Sequence, residues 1–430
     1  MIIRVSPSLL SGQVNVPSSK SLSARFIAAA LLADSPSKLF GLSDCDDTTA
    51  ALEMAALLGA EIELGKDAIL ITPCENGIPR PRSESINAGE SGLAARMFAP
   101  LAALASDKVI MNGTGSLLHR PFSMVSDGLE SVGASIKSNN GLLPLEINGP
   151  ILGGNFTIDG SESSQFLTGL LLALPYAQED SIITVNNLVS RPYMKMTLEV
   201  MTTFGLDYTH TENSSGVDTL HIPANQTASG GEFAIDGDWS AAATLLVLGA
   251  LCGRPDLEIT GIRGDFTQAD SGIKGALLFA GYHILGTDNG LSLKKKRPRA
   301  FDLDLTNSPD LFPVLAALAV FSNKPSRLRG AHRLTSKESD RASVLISEFA
   351  KADIKIDHDP DTDSLLIHPG KPKSARLNSH GDHRIAMAAA ILGCAGTANI
   401  EIEGAECVAK SYPAFFDDLE SIGGLIQEVK

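Results

Sequence analysis

One pattern recurs about every seventy residues along this chain of 430, so the chain should fold as copies of a single unit. In each copy a segment with helical periodicity ends in glycine, and a strand-like run starts directly after it. The copies are Leu58-Gly59-Ala60-Glu61-Ile62, Val132-Gly133-Ala134-Ser135-Ile136, Phe204-Gly205-Leu206-Asp207-Tyr208, Ala280-Gly281-Tyr282-His283-Ile284 and Ile422-Gly423-Gly424-Leu425-Ile426. Ala350-Lys351-Ala352-Asp353-Ile354 fits with lysine in the glycine slot, giving successive steps of 74, 72, 76, 70 and 72 residues. Glycine ends a helix cheaply because it enters the left-handed region without a Cβ clash. The β-branched and aromatic residues that follow favour a strand.

A second feature keeps the same beat. Six almost wholly apolar runs of helical length each start with a polar cluster: Lys20-Ser21, Glu90-Ser91, Ser163-Ser164-Gln165, Asp238-Trp239-Ser240, Ser308-Pro309-Asp310 and Asp382-His383-Arg384. A helix apolar all round is a buried helix. Each unit therefore reads as strands, one buried helix, one amphipathic helix and further strands. Three units per domain give two similar α/β domains with helices inside and sheets outside. Ser and Asp at these starts suit N-caps. Helix N-termini also attract anions through free N–H groups and partial positive charge. If the two helix triplets face each other, the gap is an anion-binding cleft.

Composition narrows the partners. The formal net charge of −15 argues against non-specific nucleic-acid or membrane binding. The one basic block, Lys294 to Arg299, reads as a solvated loop between two strands. Five cysteines, an odd number without Cys-x-x-Cys, argue against a disulfide framework or zinc site and for a reducing compartment. The N-terminal residues lack the long apolar core of a signal peptide. The most apolar stretch, Ala241 to Cys252, is too short to span a bilayer. A cytosolic protein is expected.

Nine cations stand at or near unit starts: Lys20, Arg25, Arg96, Arg120, Arg191, Lys337, Arg341, Arg384 and Lys410. That set suits multiply charged anions, Arg through its fork and Lys as a point charge. Lys337 and Arg341 are spaced as one helical turn, on one face. Two carboxylates, Asp310 and Glu338, lie among cations, which keep a carboxylate ionised and ready to act as a base. Capping for Asp310 and a salt bridge for Glu338 are the plainer readings. Walker, Gly-x-Gly-x-x-Gly and His-Glu-x-x-His patterns are missing, and the histidines show no metal-ligand spacing. Cys407 has no local histidine to activate it and reads as a buried thiol.

The segments Lys20-Ser21, Ser163-Ser164-Gln165-Phe166-Leu167-Thr168, Arg191-Pro192-Tyr193, Lys337-Glu338-Ser339-Asp340-Arg341, Asp382-His383-Arg384 and Cys407-Val408-Ala409-Lys410 resemble, in order, those of the 5-enolpyruvylshikimate-3-phosphate synthases. The resemblance covers essentially the whole chain. It implies two domains of three βαβαββ units each, an inside-out barrel, hinged by two crossings near Val16 and Asp236. One domain would comprise 1–16 and 237–430, the other 17–236. The implied reaction moves the enolpyruvyl group of phosphoenolpyruvate to the 5-hydroxyl of shikimate 3-phosphate through a tetrahedral adduct, with no metal or cofactor, in a monomer. Shikimate 3-phosphate would meet Lys20, Ser21, Arg25, Ser163, Ser164, Gln165, Ser190, Tyr193, Asp310 and Lys337. Phosphoenolpyruvate would meet Lys20, Gly92, Arg120, Gln165, Arg341, Arg384 and Lys410. Asp310 would take the hydroxyl proton, and Glu338 would exchange one at the methylene carbon, with Lys20 assisting. This chain departs from the family's common residues at Ala24, Glu90, Leu93 and Arg333. Glu90 could cap a helix, pair with Arg96 or Arg120, or weaken the binding of anions nearby.

Three other readings remain. The sister family that uses UDP-N-acetylglucosamine typically has Lys-Asn where this chain has Lys20-Ser21, and a loop cysteine where this chain has Leu118-His119 before Arg120. An RNA 3′-end cyclase built from related units needs a nucleophilic histidine and a basic surface. A non-catalytic scaffold accounts for the repeats but not for the cations.

Overall fold

The structure is a computed structural model that describes residues 1–335 and 337–429. Its helices come in pairs, the first of each pair buried: α1 (Lys20–Leu31) and α2 (Asp46–Leu57), α3 (Gly92–Ala102) and α4 (Ser123–Ser131), α5 (Gln165–Ala173) and α6 (Arg191–Thr203), α7 (Trp239–Cys252) and α8 (Ile273–Phe279), α9 (Phe312–Val320) and α10 (Arg341–Lys351), α11 (His383–Ala395) and α12 (Phe415–Ser421). Ala and Leu dominate the buried helices, combining good helix propensity with apolar surface on every side. All of α3 and α9 is buried. In α1, α5 and α7 the residues not fully buried are Lys20 and Ser21, Gln165, and Ser240, all in the first turn. No helix among the described residues is long and apolar enough to cross a membrane.

Among the described residues, six four-stranded sheets share one topology. In the sheet of the second unit along the chain, Ser85–Asn87 pairs parallel with Val109–Asn112, which pairs antiparallel with Leu142–Asn148, which pairs antiparallel with Ser135–Asn139. Each sheet is open, with two edge strands, and among the described residues none closes into a barrel. The first strand is exchanged at two places. Gln13–Asn15 precedes α1 but pairs with Glu258–Thr260, whereas Glu232–Ala234 precedes α7 but pairs with Ser37–Phe40. The chain accordingly forms two compact units. The first is Met1–Pro17, Gly237–Gly264 and Gln268–Lys430, and the second is Ser18–Asp236 with Asp265–Thr267.

In the first unit α7, α9 and α11 pack on one another, and in the second α3 packs on α1 and α5. The α3–α5 contact is close enough to require glycine: a Cβ at Gly169 would sit 2.3 Å from the Met97 carbonyl oxygen.

Gly59, Gly133, Gly205, Gly281 and Gly423 all have positive φ, as the repeat requires. The sixth copy differs from expectation. Its left-handed residue is Asp353 (φ 62°), not Lys351, which is the last residue of α10. Asp tolerates this conformation far better than Lys does, so the helix runs two residues further before it stops. The Lys294–Arg299 block is an exposed loop between strands, except for buried Pro298.

Candidate active site

Four of the six buried helices carry a side-chain cap at the polar cluster: Ser19, Ser91, Asp238 and Asp382 accept from backbone N–H groups of α1, α3, α7 and α11. α5 and α9 do not. Asp310 lies in a 3-10 turn, Pro309–Leu311, ahead of α9, and makes no cap. Its carboxylate is directed to cations instead, so it is not the cap that the plainer sequence reading offered.

In the first unit one guanidinium organises three carboxylates. Arg341 is 1% exposed. Its Nη1 donates to Asp310 Oδ1 (2.6 Å), its Nη2 to Glu338 Oε2 (2.7 Å) and Asp382 Oδ1 (3.3 Å), and its Nε to Asp382 Oδ2 (2.7 Å). Four of its five N–H groups are thereby committed. Lys337 Nζ reaches the same Asp310 oxygen at 3.3 Å. Lys337 and Arg341 are not one turn of a helix, as their spacing suggested. Asp340 is the N-cap of α10, accepting from Ser343 N, and Lys337 lies outside the helix.

Burial pushes the Asp310 carboxyl up, but Lys337, Arg341 and Arg384 outweigh it and hold the group well below the usual carboxylate range. Burial lowers Lys337 despite Asp310. Arg341 stays charged, raised by Asp382, Glu338 and Asp310 against burial. Arg384, at the start of α11, is buried and is likewise raised, against its burial, by Asp310, Asp238 and Asp270. Lys410 Nζ donates to Gly381 O (2.9 Å), beside the Asp382 cap. Burial raises the Cys407 thiol to about 11, so it stays protonated.

The second unit holds two clusters. At the start of α3, a Cβ on Gly92 would lie 2.6 Å from Arg120 Nη1 and 2.8 Å from Arg96 Nη1, so the missing side chain leaves room for two guanidiniums. Arg96 Nη1 also donates to Gln165 Oε1 (3.1 Å), and its Nη2 to Pro121 O (3.0 Å). Its guanidinium carbon lies 4.8 Å from the centre of the Phe122 ring. Glu90 Oε2 accepts from Ser116 N (3.2 Å) and Ser116 Oγ (3.1 Å). It thus ties down the turn that leads to Arg120.

Arg25 centres the other cluster. It is 1% exposed and donates to Thr197 Oγ1, Ser21 O, Thr168 Oγ1 and Tyr193 O. Burial lowers it to about 10. These bonds join α1, α5 and α6 beneath Tyr193. Ser190, before α6, is buried in the left-handed conformation. Ser163 Oγ accepts from Gln165 N (3.1 Å), and Ser164 is the N-cap residue of α5. Lys20 Nζ pairs with Asp47 Oδ2 at 2.9 Å.

Sequence reasoning thus found residues that gather within each unit, and the structure adds the protein partners that several of them hold. Arg25 and Arg341, expected to face substrate, are largely committed to protein partners. Arg191 is tied to Asp218 (2.6 Å) and to the Gly216 carbonyl, which fixes the start of α6. Asp47 and Asp270 were given no role, and Asp382 only that of a cap. Asp382 was visible as a cap in a cation-rich cluster. Asp47 and Asp270 carry no local signal, because what matters is the residue that long-range packing brings against them.

Six units of one sheet topology, each with one buried helix, define the class of α/β protein to which this chain belongs. The same fold occurs in an EPSP synthase of Acinetobacter baumannii, with a TM-score of 0.79 and 22% identity over 99% of this chain and 100% of that one. The sequence model of the EPSP synthase (3-phosphoshikimate 1-carboxyvinyltransferase) family matches residues 5–419, and the chain belongs to that family. Two relatives named 3-phosphoshikimate 1-carboxyvinyltransferase are similar along their full length. That of Clostridium kluyveri is 35% identical, covering 99% of this chain and 98% of its own. That of Methanocorpusculum labreanum is 34% identical, covering 100% of both.

Proposed function

We infer that the chain carries out the reaction of its family, transfer of the enolpyruvyl group of phosphoenolpyruvate to the 5-hydroxyl of shikimate 3-phosphate with release of phosphate. The observation that carries the assignment of roles is Arg341 holding Asp310 and Glu338 on its two terminal nitrogens. One rigid, permanently charged fork sets the distance between a base and a proton exchanger.

The methylene carbon of phosphoenolpyruvate gains a proton. The 5-hydroxyl oxygen bonds to the carbon that bears the phosphate, and its proton passes to Asp310. The resulting tetrahedral adduct loses phosphate, and the methyl group returns a proton to restore the double bond. Glu338 exchanges the methylene proton in both directions, with Lys20 assisting. Asp310 is ionised in the free protein, as an acceptor must be. Charge develops on the phosphate oxygens and carboxylate, where fixed cations stabilise it.

Phosphoenolpyruvate is assigned to Lys20, Gly92, Arg120, Gln165, Arg384 and Lys410, together with the remaining N–H of Arg341. Shikimate 3-phosphate is assigned to Lys20, Ser21, Ser163, Ser164, Gln165, Ser190, Asp310 and Lys337, with Tyr193 against its ring and Arg25 bracing that ring from beneath. The two compact units serve as the protein's two domains. Five free cysteines agree with a reducing cytosol, and a monomer is proposed.

The test compares Asp310→Asn with Glu338→Gln. Asp310→Asn should lower kcat by about 10²-fold or more yet still exchange solvent deuterium into the methylene group of phosphoenolpyruvate. Glu338→Gln should lose both turnover and exchange. Exchange that survives in Glu338→Gln and vanishes in Asp310→Asn would reverse the two roles.

A further inference from the structure

One buried acid of the first unit has no part in the reaction set out above. Asp270 lies in a 3-10 turn, Ala269–Gly272, just before α8, and is 2% exposed. The turn is stitched to elements that carry the carboxylate–cation cluster. Gln268 Oε1 accepts from Trp239 N (3.1 Å), and its Nε2 donates to Gly237 O (2.7 Å). Ser308 Oγ, two residues before Asp310, donates to Ala269 O (2.9 Å).

Ser240 Oγ donates to Asp270 Oδ2. Asp270 Oδ1 is buried without a hydrogen-bond partner among the described residues. Arg384 Nε is buried in the same condition. The charged groups facing Asp270 are Asp310 on the turn before α9, Arg384 on α11 and Asp238 at the cap of α7. The cation on the helix that follows, Lys274 of α8, instead lies 4.7 Å from the centre of the Trp239 ring. Asp270 thus lies in the field of two carboxylates and one guanidinium, with one oxygen unpaired among the described residues. A carboxylate kept only to brace Ser240 has no use for that unpaired oxygen.

We propose that Asp270 is a positioning residue that acts through Arg384: ionised, it competes with the phosphoenolpyruvate anion for that guanidinium, and it takes up a proton as the anion binds. The proposal rests on the assignment of phosphoenolpyruvate to Arg384. Burial, then Asp310, raises the Asp270 carboxyl to about 6, against the pull of Arg384 and Ser240. Below that value the group is already neutral and the anion binds without competition. Above it each pH unit lowers affinity by up to about tenfold, because one proton must be drawn from solution.

Phosphoenolpyruvate itself titrates, so the effect is read as a difference between proteins. KM for phosphoenolpyruvate and kcat are measured between about pH 5.5 and 8.5, at saturating shikimate 3-phosphate. The proteins compared are the wild type, Asp270→Asn and Ser240→Ala. The wild-type KM should climb away from that of Asp270→Asn above about pH 6, approaching tenfold per unit, with kcat changing less. In Ser240→Ala the climb should start at higher pH, because a bond favouring the ionised carboxyl is gone. Parallel profiles in wild type and Asp270→Asn overturn the proposal. An unmoved Ser240→Ala profile also overturns it, and this arm does not depend on Asp270→Asn folding. Absence of turnover in the wild type overturns the functional reading itself, and this proposal with it.

Discussion

Asp270→Asn should make the protein more stable, and more so at high pH. The Asp270 carboxyl is raised from an ordinary 3.8 to about 6 in the folded protein. A raised acid contributes stability that is complete below its unfolded value and is lost as pH rises through its folded value. That displacement is worth up to about 3 kcal/mol once pH is well above 6, and about half of that at pH 5. Asparagine mimics the neutral carboxyl and still accepts from Ser240, so it removes the penalty without opening a hole. Trp239, the one tryptophan, is buried beside this turn and reports on the first unit. Urea unfolding followed by its fluorescence, at about pH 5 and about pH 8, should show a gain in Asp270→Asn at both and a larger gain at pH 8. No gain, or equal gains at the two pH values, would refute the claim that the carboxylate is buried at a cost.

Gly92→Ala places a methyl group where Arg120 and Arg96 now lie, at 2.6 and 2.8 Å, so both guanidiniums must move. KM for phosphoenolpyruvate should rise about 10- to 100-fold while the melting temperature changes little, because Gly92 is helical and alanine suits a helix. An unchanged KM removes the assignment of this cradle. For Glu90 two substitutions separate charge from tether. Glu90→Gln keeps an acceptor for Ser116 and removes a negative charge, so KM for phosphoenolpyruvate should fall several-fold. Glu90→Ala frees the turn before Arg120, so KM should rise. Equal effects in both would show that only one of the two roles exists.

The repeat was legible because it rests on local chemistry. The second helix of each unit stops before a left-handed residue, and five glycines marked it to the residue. It failed where another residue type did the same work, at Asp353, since a lysine in the expected slot looked tolerable. The buried helices could be read from their unbroken apolar runs and polar starts. The exchange of Gln13–Asn15 and Glu232–Ala234 between units could not be read locally, because strand pairing is decided far away in sequence.

At the site, the sequence picked out charged residues that cluster within each unit but could not say which would face one another. Arg25, read from the sequence as a ligand-binding cation, also ties α1, α5 and α6 together from a buried position, which the sequence did not show. Arg341 looked like a phosphate ligand and holds three carboxylates. Asp270 drew no notice, because its meaning comes from Asp310 and Arg384, 40 and 114 residues further along the chain.

The central claim is that this chain transfers enolpyruvyl to shikimate 3-phosphate. Its most direct test measures phosphate released from phosphoenolpyruvate by the purified protein, with shikimate 3-phosphate or UDP-N-acetylglucosamine as the only acceptor. Release with shikimate 3-phosphate alone, matched mole for mole by an enolpyruvyl ether on its 5-oxygen, is the predicted result. Release with UDP-N-acetylglucosamine alone, or with neither acceptor, contradicts it.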